Sequence, residues 1–187
     1  TRAPSARETA LRAALPAQIA HAKAHAPALA QLLQDVDAAR VNSRAALAKL
    51  PVIRKYELLE RQKAARAAGG SVFGGFSALG FGKAMPRVFA SPGTIYEPEG
   101  TRADYWRMAR AMFAAGFRPG ELIHNSFSYH FTPAGSMMET GAHALGCTVF
   151  PGGTGQTEQQ VAAMAELQPA GYIGTPSFLK IILEKAA

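Results

Sequence analysis

The sequence holds a single cysteine, Cys147, among 187 residues. One thiol can form neither an internal disulfide bond nor a multi-thiolate metal site, so both are excluded. No run approaches the roughly 20 apolar residues of a membrane-spanning helix, and the first residues lack the pattern of a secretory leader. Charged residues make up 18% and apolar residues 48%, which is typical of a folded domain. We therefore expect a cytoplasmic protein that does not enter a membrane.

Two common nucleotide-binding motifs are also missing. The pattern GxxxxGK[ST] fails around Gly82-Lys83, because Ala84 follows and Ser77 stands where the first glycine belongs. No GxGxxG follows a predicted strand. We therefore expect no phosphate loop of either class.

The excess of positive over negative charge lies entirely in the first third of the chain. Residues 1–70 hold 12 lysines and arginines against five acidic residues, whereas residues 71–187 hold eight of each. Nucleic-acid readers usually interleave basic residues with aromatic ones, and the basic segment has one aromatic residue, Tyr56. A solvated helical surface is the favoured interpretation, and nucleic acid is not an expected partner.

The composition divides the chain into three segments. Residues 1–68 are rich in good helix formers, and Pro16 and Pro27 are placed as first-turn prolines of separate short helices. The last helix of this segment is predicted at 54–67. Residues 69–100 mix glycine and aromatic residues without a period, which predicts a long irregular loop with one short strand at 88–91.

Residues 101–187 alternate regularly between helix and strand. Thr101 and Asp104 form a T-x-x-D capping box that predicts a helix over 102–115. The strand candidates are ELIHNSFS, CTVFP and GYIGT, and the later helices are predicted at 134–145, 157–167 (capped by Thr157) and 177–187. This order predicts an α/β fold, with N-terminal helices followed by a parallel βαβαβ sheet layer.

Three loops follow the three predicted strands. Ligands of open α/β sheets bind beyond the carboxyl ends of the strands, so these loops should share one edge, which is the predicted site. The loops are Tyr129-His130-Phe131, Pro151-Gly152-Gly153 and Gly174-Thr175-Pro176. The two aromatic rings and the imidazole suit a pocket for an apolar or aromatic acid, and core packing is the alternative.

Other chemically capable residues have simpler explanations. His21 and His25 have the spacing of two metal ligands on a helix, but no third ligand is near in sequence. Cys147 begins an apolar strand, which favours a buried inert thiol over a nucleophile. His124 lies within a strand and is interpreted as structural. We expect no metal site from these residues.

Four sequence pieces occur in the order and spacing of a known family: FRPGE at 117–121, NSFSY at 125–129, HALGCTVFP at 143–151 and TPSFL at 175–179. With KLPVIRKYEL at 49–58, they make residues 28–187 resemble the phenylacetate–CoA ligases of the adenylate-forming acyl-CoA synthetase superfamily. In that family the adenine pocket, the metal-binding glutamate, the hinge and the catalytic lysine come later. We therefore expect one incomplete domain, the N-terminal portion of a longer ligase.

The resemblance implies two-step chemistry. A carboxylate attacks the α-phosphate of ATP, which gives an acyl-adenylate and pyrophosphate, and the thiol of CoA then displaces AMP. The complete enzyme would use ATP, Mg²⁺ and CoA, with a small aromatic or apolar carboxylic acid such as phenylacetate as the substrate. We also expect a homodimer, because the second half has no net charge and carries several Met and Phe residues.

The segment that matches the family's phosphate loop departs from it. The family reads roughly S-S-G-T-T-G-K-P, and this chain has SPGTIYEP at 91–98. Ser91, Gly93, Thr94 and Pro98 agree, and the first three are the predicted phosphate-binding residues. At the other positions, Pro92 removes a backbone donor, and Glu97 places a negative charge where the family has lysine.

The acid pocket matches better. The family's N-A-Y-G-Y-G-x-F-T-G-G corresponds to residues 125–135 with one deletion. The resemblance implies that Tyr129, His130 and Phe131 line the acyl pocket, with Gly152, Gly153, Thr175 and Pro176 as neighbouring walls. His130 is the candidate gate, and no catalytic residue is assigned.

Two alternatives stay open beside the ligase. The altered phosphate segment suggests a degenerate domain that binds a carboxylate or CoA-like ligand without adenylating it. The basic residues 1–70 suggest an interaction module, whose binding would depend steeply on salt.

Overall fold

The computed structural model describes residues 2–187. The chain divides into two compact units. The first unit runs to Gly82 and includes Gly93–Pro98, and the second unit comprises Lys83–Pro92 and Glu99–Ala187.

The first unit is mainly helical. Its elements are α1 (Pro4–His25), α2 (Pro27–Leu32), a short 3₁₀ helix (Ala38–Arg40), α3 (Arg44–Leu47) and α4 (Lys55–Ala67). Ile19, Leu33 and Val41 form its buried core. The predicted helix at 54–67 and the start of α2 at Pro27 agree with these bounds.

The expectation that Pro16 begins a new helix is wrong, because α1 continues through it. A proline inside a helix costs about 3 kcal/mol, since it removes one hydrogen bond and crowds the preceding turn. Leu15 and Ile19, on either side of Pro16, are both 8% exposed. Burial of two such side chains contributes about 1.5–3 kcal/mol each, which offsets the cost of the proline.

A strand that the sequence did not predict follows the turn after residue 91. The strands β1 (Arg87–Ser91) and β2 (Ile95–Glu99) replace part of the expected loop, and only β1 was predicted. Gln62 of α4 is 1% exposed. Its side-chain amide accepts a hydrogen bond from Tyr96 N (2.8 Å) and donates one to Tyr96 O (3.0 Å). The side chain thus satisfies both backbone groups of Tyr96, as a neighbouring strand would.

The second unit contains the predicted α/β alternation. Its elements after β1 are α5 (Ala109–Ala115), β3 (Leu122–Asn125), α6 (Ala134–Leu145), β4 (Thr148–Phe150), α7 (Thr157–Leu167), β5 (Gly171–Ile173) and α8 (Pro176–Ala186). The three strands β3, β4 and β5 form a parallel sheet in the order β4-β3-β5. Ile123 stands opposite Val149 on one side and Gly171 on the other. The predicted fold class is confirmed.

The predicted start of the helix at 102–115 is wrong, since α5 begins at Ala109. Asp104 and Arg107 have φ values of +50° and +63°, which a right-handed helix does not allow. The Asp104 carboxylate accepts a hydrogen bond from Ala109 N (3.1 Å), so it serves the later helix instead of a capping box with Thr101.

The ends of the other helices follow the glycine and threonine signals in part. Gly146 has φ +89° and ends α6 as predicted. Thr157 does not cap α7, because Gln156 holds that position with φ +49° and Thr157 is the first helical residue. Thr175 caps α8, and its Oγ1 accepts a hydrogen bond from Phe178 N. Within residues 2–187, no helix combines the length and apolarity needed to cross a membrane.

The core of the second unit lies between the sheet and its helices. Met112, Ile123, Ala142 and Cys147 are its buried members. Cys147 Sγ donates to Arg118 O at 3.1 Å. Burial, and then the negative charge of Glu121, raise the pKa of the Cys147 thiol. The thiol is therefore buried and in its neutral form, as the sequence suggested.

The helices α5 and α6 approach each other closely at a glycine. A Cβ at Gly141 of α6 would lie 2.8 Å from Met108 Cβ and 3.0 Å from Ala109 N. Such distances require the two helices to separate.

We predict that Gly141→Ala lowers the free energy of unfolding by about 1–2 kcal/mol, because the crowding outweighs the roughly 1 kcal/mol gained in helix propensity. Urea unfolding followed by the fluorescence of Trp106, the sole tryptophan, measures the effect. Ala144→Gly, at an exposed position of the same helix, calibrates propensity alone. If Gly141→Ala raised the free energy of unfolding by as much as Ala144→Gly lowers it, the close contact would be contradicted.

Candidate functional site

The carboxyl ends of β3, β4 and β5 lie along one edge of the parallel sheet. Backbone hydrogen bonds join the segments that follow them. Gly153 N donates to Asn125 O (3.0 Å), and Ser126 N donates to Ile173 O (2.8 Å). The predicted loop after β4 therefore meets the end of β3, and the end of β5 meets the residue that follows β3. The third, at Thr175 and Pro176, continues from β5 into the exposed first turn of α8.

Asn125 organises the segment after β3. It is 1% exposed, and its Nδ2 donates to Tyr129 Oη (2.8 Å) and to Gly135 O (3.0 Å). Its Oδ1 accepts from Phe127 N at 3.1 Å. The side chain thus joins the aromatic loop to the first turn of α6. From the sequence, Asn125 was noted only as the first residue of the family motif at 125–135.

Tyr129 turns inward at this edge. A Cβ at Gly135 would lie 2.8 Å from Tyr129 Cγ, and one at Gly153 would lie 3.9 Å from Tyr129 Cδ2. The ring therefore packs over the start of α6 and beside the loop after β4. Burial, then the carboxylate of Glu139, raise the pKa of the Tyr129 phenol well above its ordinary value. Its hydroxyl is neutral over the whole physiological range.

His130 and Phe131 turn outward. His130 is exposed. Its backbone N donates a hydrogen bond to Ser128 Oγ at 3.1 Å. Phe131 is 82% exposed and has φ +59°, a conformation that costs a non-glycine residue about 1–2 kcal/mol. Ala90 N donates to Phe131 O at 2.7 Å, which holds this backbone conformation. The aromatic cluster is thus divided, with one ring packed and one ring facing solvent.

A buried polar cluster behind this edge was missed by the sequence reasoning. Gln160 of α7, which is 2% exposed, joins β3 to the loop after β4. Its Oε1 lies 2.7 Å from His124 Nε2 and accepts from Ser126 Oγ at 3.2 Å. Its Nε2 donates to Gly153 O (3.0 Å) and Gly155 O (2.7 Å). The available signal was the position of Gln160, four residues before Met164, which places a polar side chain on the same helix face as an apolar one.

Glu99 forms a second buried cluster in this unit. It is 2% exposed and accepts hydrogen bonds from Arg87 Nη1 (2.7 Å), Trp106 Nε1 (2.7 Å) and Ser136 Oγ (2.6 Å). Burial by itself would raise the pKa of Glu99. The hydrogen bonds from Ser136, Trp106 and Arg87, with the charge of Arg87, outweigh it and lower the pKa.

The predicted phosphate-binding residues fall in different units. Ser91 ends β1 in the second unit, whereas Gly93 (φ +100°) and Thr94 (φ +63°) belong to the first. In the first unit, Tyr96 N already donates to Gln62. The Glu97 side chain lines a cleft of about 350 Å³ together with Arg54 and Lys55. A phosphate loop needs open backbone donors, and Tyr96 N is already engaged. The phosphate-binding role of Ser91, Gly93 and Thr94 stays a prediction.

His21 and His25, which have the spacing of two metal ligands, lie close together on α1. Among residues 2–187, no three His, Cys, Asp or Glu side chains come close enough to hold an ion. His21 and His25 stack with ring centroids 4.2 Å apart, and His25 Nδ1 is 2.9 Å from His21 O.

Comparison with known proteins identifies relatives of part of this chain. It is 36% identical over 110 residues to the phenylacetate-coenzyme A ligase of Thermus thermophilus, which covers 54% of this chain and 24% of that protein. Over 100 residues it is 39% identical to the enzyme of that name from Pseudomonas putida, which covers 50% and 23%. The chain spans about a quarter of the length of these relatives. No protein-family model matches it.

Solved structures share the fold. The 2-hydroxyisobutyryl-CoA ligase in complex with 2-HIB-AMP and CoA aligns with a TM-score of 0.81 at 23% identity, covering 98% of this chain and 40% of that one. Its postadenylation state with 2-HIB-AMP gives a TM-score of 0.82 at 24% identity, covering 98% and 40%. The chain has the fold of part of an adenylate-forming CoA ligase, and the resemblance to the phenylacetate–CoA ligases is confirmed.

We predict that Glu99→Gln lowers the free energy of unfolding by about 2 kcal/mol at pH 7, because it leaves buried donors without a carboxylate. A lowered folded-state pKa adds stability at pH values above the unfolded-state pKa of about 4.3. This stability is lost as the pH falls through the folded-state pKa. The difference between the two proteins should therefore narrow below about pH 4.

Urea midpoints measured from pH 7 down to pH 3 check this prediction. Glu166→Gln, an exposed change of the same kind on α7, serves as the control and should have little effect. A difference between Glu99→Gln and the unaltered protein that stays constant over this range would contradict the role of the ionised carboxylate.

Proposed function

We propose that this chain forms the acid-binding part of an AMP-forming acid–CoA ligase whose substrate is a phenylacetate-like carboxylic acid. One observation carries the proposal: the loops after β3 and β4 meet beside Tyr129 at the carboxyl edge of the sheet. Gly153 hydrogen-bonds to Asn125 and lies next to the Tyr129 ring. This is the edge at which open parallel sheets bind ligands. The sequence resemblance to phenylacetate–CoA ligases supports the same assignment.

The aromatic loop supplies walls of two kinds. Tyr129 has its hydroxyl occupied by Asn125, so its ring face is what remains for an apolar ligand. Phe131 offers an exposed ring that a bound acid would cover. His130 lies between them with an exposed imidazole, which is a suitable donor for the carboxylate of the acid.

The glycine loop and the start of α8 complete the proposed pocket. Gly153 carries no side chain beside the Tyr129 ring, and Gly152 packs behind it against His124 and Gln160. The Thr175 hydroxyl already accepts the capping hydrogen bond of α8. Thr175 and Pro176 would therefore contact the acid mainly as a rigid wall. In this proposal the chain's residues bind and orient the acid and exclude water from its apolar part.

Binding of ATP and of the thiol substrate CoA is proposed for the whole protein and not for this chain alone. ATP, Mg²⁺ and CoA are its proposed cofactors and co-substrate. The homodimer and the cytoplasmic location stay predictions, and sedimentation velocity of the purified protein tests the first.

Pyrophosphate exchange into ATP tests the ligase proposal on the full gene product, with a panel that includes phenylacetate and 2-hydroxyisobutyrate. We expect exchange that depends on an aromatic acid. Phe131→Ala should raise the KM for that acid at least about tenfold, because it removes an exposed aromatic wall of the pocket. Phe113→Ala removes an exposed ring from α5 and should leave the KM unchanged. Absence of exchange with every acid would refute the proposal.

A second candidate is a ligase-like domain that binds an acid without adenylating it. The hydrogen bonds between Gln62 and both backbone groups of Tyr96 favour it, since they fix the segment where a phosphate loop would need open donors. Glu97 adds a negative charge to the same segment.

Calorimetric titration with Mg-ATP distinguishes the second candidate. It predicts no binding by the unaltered protein and measurable binding by the double variant Tyr96→Gly with Glu97→Lys, which restores the family's glycine and its positive charge at these two positions. Glu166→Lys repeats the charge change at a distant exposed position and should bind no ATP. Tight Mg-ATP binding by the unaltered protein would exclude this candidate.

A further inference from the structure

The side-chain amide of Gln160 is fully used. Its two N–H groups have two short acceptors, Gly153 O at 3.0 Å and Gly155 O at 2.7 Å. Its oxygen faces His124 Nε2 and Ser126 Oγ, which matches its two lone pairs. Gly152 O, at 3.4 Å from Nε2, lies just beyond these contacts. Because the residue is 2% exposed, water cannot replace any of these hydrogen bonds.

The orientation of this amide follows from its neighbours. Two carbonyl oxygens can only accept, so the nitrogen of the amide must face them and its oxygen must face β3. His124 therefore carries a hydrogen on Nε2 and donates it to Gln160. The imidazole is itself held between Phe150 and Tyr172, with ring centroids 5.1 Å and 6.2 Å away. Gln160 thus connects a rigid point on the central strand to the loop after β4.

The loop that Gln160 holds has little freedom to adopt another position. A Cβ at Gly152 would lie 2.7 Å from His124 Nε2 and 2.9 Å from Gln160 Oε1. The backbone at Gly152 therefore packs directly against the polar cluster. One residue later, Gly153 lies beside the Tyr129 ring and hydrogen-bonds to Asn125 O.

We propose that Gln160 is a positioning residue that fixes the Gly152–Gly155 loop and thereby sets the affinity of the pocket for its acid. The inference rests on the proposed function, because it assigns this loop to the acid pocket. Gln160 does not contact the acid. It acts through Gly153, whose distance from Tyr129 determines the width of the pocket for an apolar group.

The chemistry of the amide makes the role specific to glutamine. A glutamate has the same shape, but its second oxygen would face the carbonyl oxygens of Gly153 and Gly155 and repel them. A methionine has a similar length, but it would leave the carbonyl groups and Ser126 without partners. Both changes should release the loop while the helix itself is retained.

Two measurements on Gln160→Glu test the proposal, and Gln159→Glu is the matched control. Gln159 is the exposed neighbour on α7, so it repeats the charge change without touching the loop. Amide hydrogen exchange of this chain should show faster exchange at Gly152 and Gly153, with no change at Ile123 and His124 in β3. In the full gene product, the KM for the acid should rise at least about tenfold, while kcat and the KM for ATP change less than about threefold.

Gln160→Met should reproduce both effects, and Gln159→Glu neither. Unchanged exchange at Gly152 and Gly153 in both Gln160 variants would overturn the positioning role. Faster loop exchange with an unchanged KM for the acid would overturn the link to affinity, and equal losses in every kinetic constant would indicate a merely structural role. If the unaltered protein activates no acid, the proposed function fails, and the hydrogen-exchange result then stands separately on how the loop is held.

Discussion

The strand β3 pairs in parallel with a neighbour on each side, and the arrangement of the second unit depends on this double pairing. Both neighbours are reached only by crossovers, so α6 and α7 must pack against the sheet. The same pairing places every carboxyl end on one edge, and the peptide groups beyond that edge have no further strand to satisfy them. Asn125 and Gln160 satisfy them instead. The polar clusters are therefore a consequence of where the sheet ends.

The sequence was informative where structure depends on local pattern. The alternation after residue 101, the parallel sheet and the glycine that ends α6 all follow from periodicity and single residues. The failures share a different cause. Pro16 lies inside α1 because the burial of Leu15 and Ile19 offsets its cost. Within β2, the backbone of Tyr96 is satisfied by a side chain 34 positions earlier, that of Gln62. Distant contacts of this kind leave no local signature.

The candidate site was predictable to the same extent. Sheet topology alone indicated the three loops, and the family resemblance led to the same residues. What the sequence could not give was the direction of each side chain. Tyr129 packs inward and Phe131 outward because the chain takes φ +59° at Phe131, which no composition or period predicts. The role of Gln160 was hidden for a related reason, since a glutamine in a helix is ordinarily a solvated residue.

The altered segment at 91–98 and the intact edge of the sheet point to different degrees of kinship with the ligases. The segments that contain Asn125 and Cys147 keep the family's order of motifs, whereas Tyr96 is engaged by Gln62 at the position where the family has glycine. The two parts lie in different units of the chain for most of their residues.

The buried thiol has a practical consequence. Cys147 is 6% exposed, and its pKa is raised, so alkylating reagents meet neither an accessible sulfur nor a thiolate while the core is closed. It is also the only cysteine, so every modified molecule carries the label at one known place. The rate of alkylation in the absence of denaturant therefore counts how often the core of the second unit opens.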